Sequence, residues 1–246
     1  RDDVESRGLG DVYKRQFRNS MNSIGIELTN SQLNAFETYY DMLIDRNKVM
    51  NLTAITEFDE VMDKHFLDSV YLFRSIKLEA DYKLIDIGTG AGFPGIPLKI
   101  VFPELKITLL DSLNKRVGFL NDVIDELNLN DIEAIHGRAE DIARDKTYRA
   151  SYDIAVSRAV ANLSTLSEYC LPFVKIGGKF VSYKSGDCAD EVDNAKAAIH
   201  LLGGKINKID EFSYSNNSRS FIVIDKVMNT SNKYPRKAGL PSKKPL

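Results

Sequence analysis

Apolar side chains between Thr29 and Asn51 recur at three- and four-residue steps, with Leu33, Phe36, Tyr40, Leu43 and Ile44 among them. That period is helical. Thr29, Asn30 or Ser31 can cap the start. A second helical stretch, roughly Glu57 to Ser75, carries Val61, Phe66, Leu67, Val70 and Phe73 on one side. His65 and Asp68 share a face of it at i, i+3 spacing and read as a buried helix contact. Together these stretches predict an N-terminal helical subdomain over 17–80. Residues 1–16 show no sustained periodicity and read as a non-native scar outside the fold. A genomic reading frame encoding them would overturn that expectation.

From residue 83 the pattern changes to regular alternation. Strand-like runs fall at 83–87, 106–111, 132–136, 152–157 and 178–184. Helical runs at 115–127, 163–174 and 190–202 lie among them, and Gly177-Gly178 interrupts the fourth connection. Alternating β and α predicts a parallel, doubly wound sheet. The end differs. Runs at 205–214 and 220–227 are joined only by Ser215-Asn216-Asn217-Ser218. So short a turn requires an antiparallel pair. The expected class is α/β: a Rossmann-like, mostly parallel sheet over 81–246, closed by a C-terminal antiparallel hairpin and preceded by the helical cap.

The first strand runs into Asp86-Ile87-Gly88-Thr89-Gly90-Ala91-Gly92-Phe93-Pro94-Gly95 and then an apolar helical segment. A strand, a Gly-rich turn and a helix open a nucleotide-binding unit. Glycines allow close backbone approach, and a helix N-terminus offers unpaired N–H groups. Two readings stand. Gly88-x-Gly90-x-Gly92 after Asp86 suits S-adenosylmethionine (SAM), whose charged amino acid end an acid can face. Gly90-x-Gly92-x-x-Gly95 is the dinucleotide pattern shifted by two, but Asp86 would repel a pyrophosphate. SAM is favoured, and the terminal hairpin fits a SAM-dependent methyltransferase sheet better than a dehydrogenase. Asp111 ends the second strand, where a carboxylate meets a ribose hydroxyl.

Bulk properties narrow the field further. The chain has 246 residues, 43% hydrophobic, with a formal charge of −2, which argues against a general nucleic-acid coat protein. No apolar run approaches the ~20 residues a membrane helix needs. Two cysteines, Cys170 and Cys188, point to a reducing cytosol, so the expected location is cytoplasmic. His65, His136 and His200 are scattered, and no metal site is expected. Residues 226–246 hold six basic side chains and no acid: either a solvated terminus or a phosphate-contacting arm.

Several ordered blocks then carry a resemblance. They are Arg46-Asn47-Lys48 with Asn51-Leu52-Thr53-Ala54-Ile55, Lys64-His65-Phe66-Leu67-Asp68-Ser69, and Asp86 to Leu98 reading DIGTGAGFPGIPL. Leu110-Asp111-Ser112 with Lys115-Arg116, Arg138-Ala139-Glu140, Ser157-Arg158-Ala159 and the tail Tyr234 to Pro241 complete the set. The sequence resembles the bacterial RsmG (GidB) family, which methylates a guanine at N7 in 16S ribosomal RNA using SAM. Arg46 stands where that family usually has Trp, and Lys184-Ser185 where Lys-Gly is common.

The resemblance implies cofactor contacts from Asp86, Gly88, Gly90, Gly92, Phe93, Asp111, Ala139, Glu140 and Arg158. It implies SAM as donor, S-adenosylhomocysteine as product, and 16S rRNA or the small ribosomal subunit as partner, for a monomer that touches no membrane. Candidate RNA contacts are Lys115, Arg116, Lys184, Lys233, Arg236 and Lys237. No catalytic base is expected, because N7 carries a free lone pair. The rivals are a SAM-binding assembly factor without catalysis, a small-molecule methyltransferase and, weakest, a dehydrogenase.

Overall fold

The computed structural model describes residues 2–158, 161–214 and 217–246. Among these residues seven strands form one sheet in the order β3-β2-β1-β4-β5-β7-β6. They are β1 (Lys83–Ile87), β2 (Lys106–Asp111), β3 (Ile132–His136), β4 (Tyr152–Ser157), β5 (Val174–Ser185), β6 (Gly204–Tyr214) and β7 (Asn217–Lys226). β1 to β5 are mutually parallel, and β7 pairs antiparallel with both β5 and β6. The expected class is therefore observed. The hairpin is tighter than expected: Tyr214 pairs with Asn217, so Asn217 and Ser218 belong to β7 and not to the turn. Ser215 and Asn216 lie outside the described residues.

Gly177-Gly178 does not interrupt the chain as expected. β5 runs through it with a register shift against β4, and Gly177 takes a φ of +88°. At Gly178 an added Cβ would come within 2.5 Å of the Asp153 carbonyl oxygen. Two glycines thus permit a bulge where a break was expected.

Side chains alternate across the sheet as the pleat requires. Leu84, Ile154 and Val156 join one hydrophobic cluster, while Ile85, Ile87 and Ala155 join the other. The first cluster takes α1 (Asp2–Ser23), α2 (Asn30–Met50), α6 (Gly95–Val101) and α7 (Asn114–Glu126). The second takes α9 (Leu163–Cys170) and α10 (Ala189–Leu201). Three further short helices, α3 (Phe58–Val61), α4 (Asp68–Val70) and α5 (Leu72–Ser75), lie in the second helical stretch. Two more are α8 (Ala139–Ile142) and α11 (Leu240–Lys243).

The N-terminal helices share their cluster with the sheet: Phe17, Phe36 and Phe66 pack with Ile96 and Leu109. α1 crosses the boundary expected at residue 16 without a break. α2 starts at a capping box, in which Thr29 Oγ1 accepts from Gln32 N–H and Gln32 Oε1 accepts from Thr29 N–H. Gln32 Nε2 also donates to Ile100 O at 2.9 Å, tying α2 to α6.

The stretch over 57–75 is not one α-helix. Between α3 and α4 the chain winds as a π-helix, Met62–Leu67, and a turn at Tyr71 separates α4 from α5. Apolar spacing does not resolve such changes of pitch, since every variant keeps a buried side. Among the described residues, no helix is long and apolar enough to cross a membrane.

Candidate active site

The strand order reverses between β1 and β4, and their carboxyl ends open a crevice there. The Gly-rich turn leaves β1 at this point. It is held by the sheet itself: Gly88 N–H and Thr89 N–H donate to Leu110 O at 2.9 and 3.2 Å, and Gly90 N–H to Asp111 Oδ2 at 2.9 Å. Gly92 has a φ of +105°, and a Cβ there would meet the Tyr39 hydroxyl at 2.7 Å. That hydroxyl donates to Ala91 O at 2.5 Å, so α2 braces the turn from behind.

Asp86 is fully buried. Its Oδ2 accepts from Thr89 Oγ1 at 2.7 Å and from Gly95 N–H, the first amide of α6, at 2.9 Å. Its Oδ1 is buried with no partner among the described residues. Burial pushes its carboxyl up to about 6, against the lowering effect of the two bonds to Oδ2. Asp111 is equally committed: Oδ1 accepts from Leu113 N–H at 2.9 Å, and Arg116 lies 3.5 Å from Oδ2.

Two neighbouring cavities flank the carboxyl end of β4. The smaller, about 210 Å³, is lined by Gly88, Ser112, Ala139, Glu140, Ser157 and Gly239, among others. The larger, about 730 Å³, is lined by His65, Asp68, Arg158, Lys184, Glu191 and Arg219, among others. Ala161 lines both. Of the expected cofactor residues, the smaller cavity gathers Gly88, Ala139 and Glu140. Gly90, Gly92, Asp86 and Asp111 form the turn's scaffold. Arg158 belongs to the larger cavity.

Around Arg158 the structure builds an arrangement that spacing does not show. Arg158 Nη1 donates to Asp68 Oδ2 at 3.0 Å and Lys64 O at 3.2 Å. Arg219 Nε and the Tyr214 hydroxyl donate to Asp68 Oδ1 at 2.8 and 2.6 Å. The Arg158 guanidinium also lies 5.0 Å over the Phe93 ring, and His65 stacks on that ring at 4.5 Å.

Arginine only donates, so His65 Nδ1 is the acceptor of the 3.2 Å bond from Arg158 Nη2, and His65 Nε2–H faces Thr53 Oγ1 at 2.8 Å. Burial and the adjacent Arg158 lower the His65 imidazole to about 3, leaving it neutral. His65 and Asp68, expected as a simple helix contact, thus line the larger cavity. Their signal was the Lys64 to Ser69 block, which composition and period leave unexplained.

The structure places the expected RNA contacts in different settings. Arg236 is not a free cation. Its side chain makes a forked pair with the fully buried Glu168, with Nε and Nη2 at 2.9 and 2.7 Å, and its own N–H adds a third donor at 2.7 Å. Lys184 donates to Glu191 Oε1 at 2.7 Å and Ala161 O at 2.8 Å. Lys115, Lys233 and Lys237 are exposed, and Arg116 is half-buried beside Asp111.

The tail is no solvated terminus either. Arg149 donates to the carbonyls of Thr230, Ser231 and Tyr234, and Gly239 N–H donates to Glu140 Oε1 at 2.9 Å. The two departures from the family pattern are accommodated: Arg46 pairs with Asp122 of α7, and Ser185 lines the larger cavity.

Sheet order, Gly-rich turn and carboxyl-edge crevice define the Rossmann-like methyltransferase class. The fold is shared with P. horikoshii TYW2 in complex with MeSAdo, at a TM-score of 0.52 and 15% identity over 65% of this chain and 62% of that one. The family described as GidB, rRNA small subunit methyltransferase G, matches residues 32–222. A protein of that name from Acetivibrio thermocellus is 54% identical over 90% of this chain and 92% of its own. Another from Lachnoclostridium phytofermentans is 51% identical over 94% and 96%. The chain belongs to the rRNA small subunit methyltransferase G family.

Proposed function

We propose that this protein transfers a methyl group from SAM to N7 of a guanine in 16S rRNA, acting as a cytoplasmic monomer on the small ribosomal subunit. The observation that carries this reading is the pairing of two cavities across Ala161, one at the Gly-rich turn and one rich in cations. The residues fit the cofactor. The unpartnered Oδ1 of Asp86 suits an ammonium, and the cavity between Gly88 and Ala139–Glu140 suits the nucleoside end. When bound, SAM supplies an electrophilic methyl on a sulfonium.

The chain's own part is positional. N7 attacks with its lone pair and loses no proton, so no residue need act as a base. This agrees with His65, whose low pKa makes it a poor one. Holding the reactants in line contributes about 7–11 kcal/mol toward such a barrier. The N7 atom of an A-form helix lies in a groove too narrow for side chains, so the guanine is presented unpaired or unstacked. Lys115, Lys233 and Lys237, all exposed, are the proposed phosphate contacts.

The test is methyl transfer from labelled SAM to small-subunit particles from cells lacking the endogenous enzyme, followed by mapping of the modified base. A single 7-methylguanine in 16S rRNA is expected. SAM binding without transfer to particles or naked rRNA would refute the reading in favour of a binding role.

A further inference from the structure

The chemistry at N7 does not choose guanine. Adenine carries the same ring nitrogen with the same lone pair. Selection must come from the groups that differ: guanine offers O6 as acceptor with N1–H and the 2-amino group as donors. Adenine presents an amino group at C6 and a bare acceptor at N1. A site that selects guanine therefore needs an acceptor for two adjacent N–H donors, placed away from the methyl donor.

The larger cavity contains two carboxylates among its described lining residues, Asp68 and Glu191. Asp68 is unsuited. Its side chain is buried, and both oxygens are held by Arg158, Arg219 and Tyr214. Glu191 differs. It stands in the first turn of α10, its side chain is 29% exposed within the cavity wall, and Lys184 Nζ grips Oε1 at 2.7 Å. Lys184 in turn donates to Ala161 O, the residue lining both cavities. The pair is thereby tethered at Ala161, between the two cavities.

Resting on the methyl-transfer reading above, we propose that Glu191 reads the target guanine, its carboxylate accepting from N1–H and the 2-amino group while Lys184 fixes its orientation. Adenine is then excluded twice: it has no 2-amino donor, and its N1 lone pair faces a negative charge. Arg158 and Arg219 in the same wall are paired with Asp68, and Lys184 with Glu191, so both carboxylates there are charge-compensated and Glu191 keeps Oε2 toward the base. A site built to bond a donor rejects analogues lacking it, since its buried polar group is left unpaired.

The experiment places inosine, which lacks only the 2-amino group, at the mapped target in reconstituted small subunits. Wild-type protein and Glu191→Gln are then compared, with SAM affinity and melting temperature measured alongside. Wild type is expected to prefer guanosine over inosine by roughly tenfold to a hundredfold in kcat/KM, the worth of one hydrogen bond to a charged acceptor. Glu191→Gln should lose activity on guanosine and most of that preference, with SAM affinity unchanged.

A purely structural Lys184–Glu191 pair would lower the melting temperature and leave the preference intact, which overturns the proposal. Equal use of both substrates by wild type overturns it without any variant. Absence of 7-methylguanine with wild type would instead overturn the underlying reading of the activity.

Discussion

Replacing Arg236 by Met tests whether the C-terminal tail is part of the cofactor site. Glu168 is fully buried on α9, and the Arg236 side chain, 20% exposed, is its one cation among the described ion pairs. Removing one partner of a buried pair costs about 3–5 kcal/mol, because the other charge is stranded. The tail can lift and let water reach Glu168, so the lower end applies to docking: about 3 kcal/mol, or roughly a hundredfold in the docking equilibrium.

The consequence reaches the smaller cavity, which Gly239 and Ser242 help line and where Gly239 N–H holds Glu140. Hydrogen exchange over residues 228–246 should accelerate about a hundredfold in Arg236→Met, and SAM affinity should fall. Adding Glu168→Met removes the stranded charge and should restore much of both, as apolar replacement of a whole buried pair is often neutral. Unchanged exchange and SAM affinity in Arg236→Met would refute the reasoning.

Three further outcomes follow from charged side chains, two buried and one set exposed. Burial raises the Asp86 carboxyl from 3.8 to about 6, so the folded chain binds the extra proton in that window and stability falls as pH rises through it, by roughly 3 kcal/mol. Asp86→Asn should flatten the dependence in urea titrations, and SAM binding by wild type should tighten up to about pH 6. Equal affinity at pH 5 and 7 would sink that coupling. Lys226 is buried against Leu171 O and Thr230, and burial, aided by Arg149, lowers its ammonium from 10.5 to about 7. The unfolded chain then binds the extra proton between those values, so stability should rise with pH from about 7 to 10 in wild type and less so in Lys226→Met. Neutralising Lys233 and Lys237 together should weaken RNA binding and reduce the slope of log K against log salt by up to roughly 1.8, with SAM affinity unaltered. An unchanged slope would remove them from the interface.

The strands, their parallel order and the closing hairpin were legible because period-2 and period-3.6 patterns record burial directly. The Gly-rich turn was legible because positive φ and close approach exclude a side chain at Gly92. What spacing cannot record is a partner distant in the chain. Asp68, Tyr214 and Arg219 come from three elements and Arg158 from the end of β4, and only the tertiary fold turns them into one charge-compensated wall. The same holds for Arg236, read from sequence as a basic tail residue and found locked to Glu168, 68 positions earlier. Sequence by itself determined the sheet, the turn and the kind of ligand they suit, since these rest on local backbone geometry and periodic burial. The tertiary structure alone decided which charges stay exposed and which are consumed in holding the site together. That depends on desolvation and pairing across the chain, which no local pattern encodes.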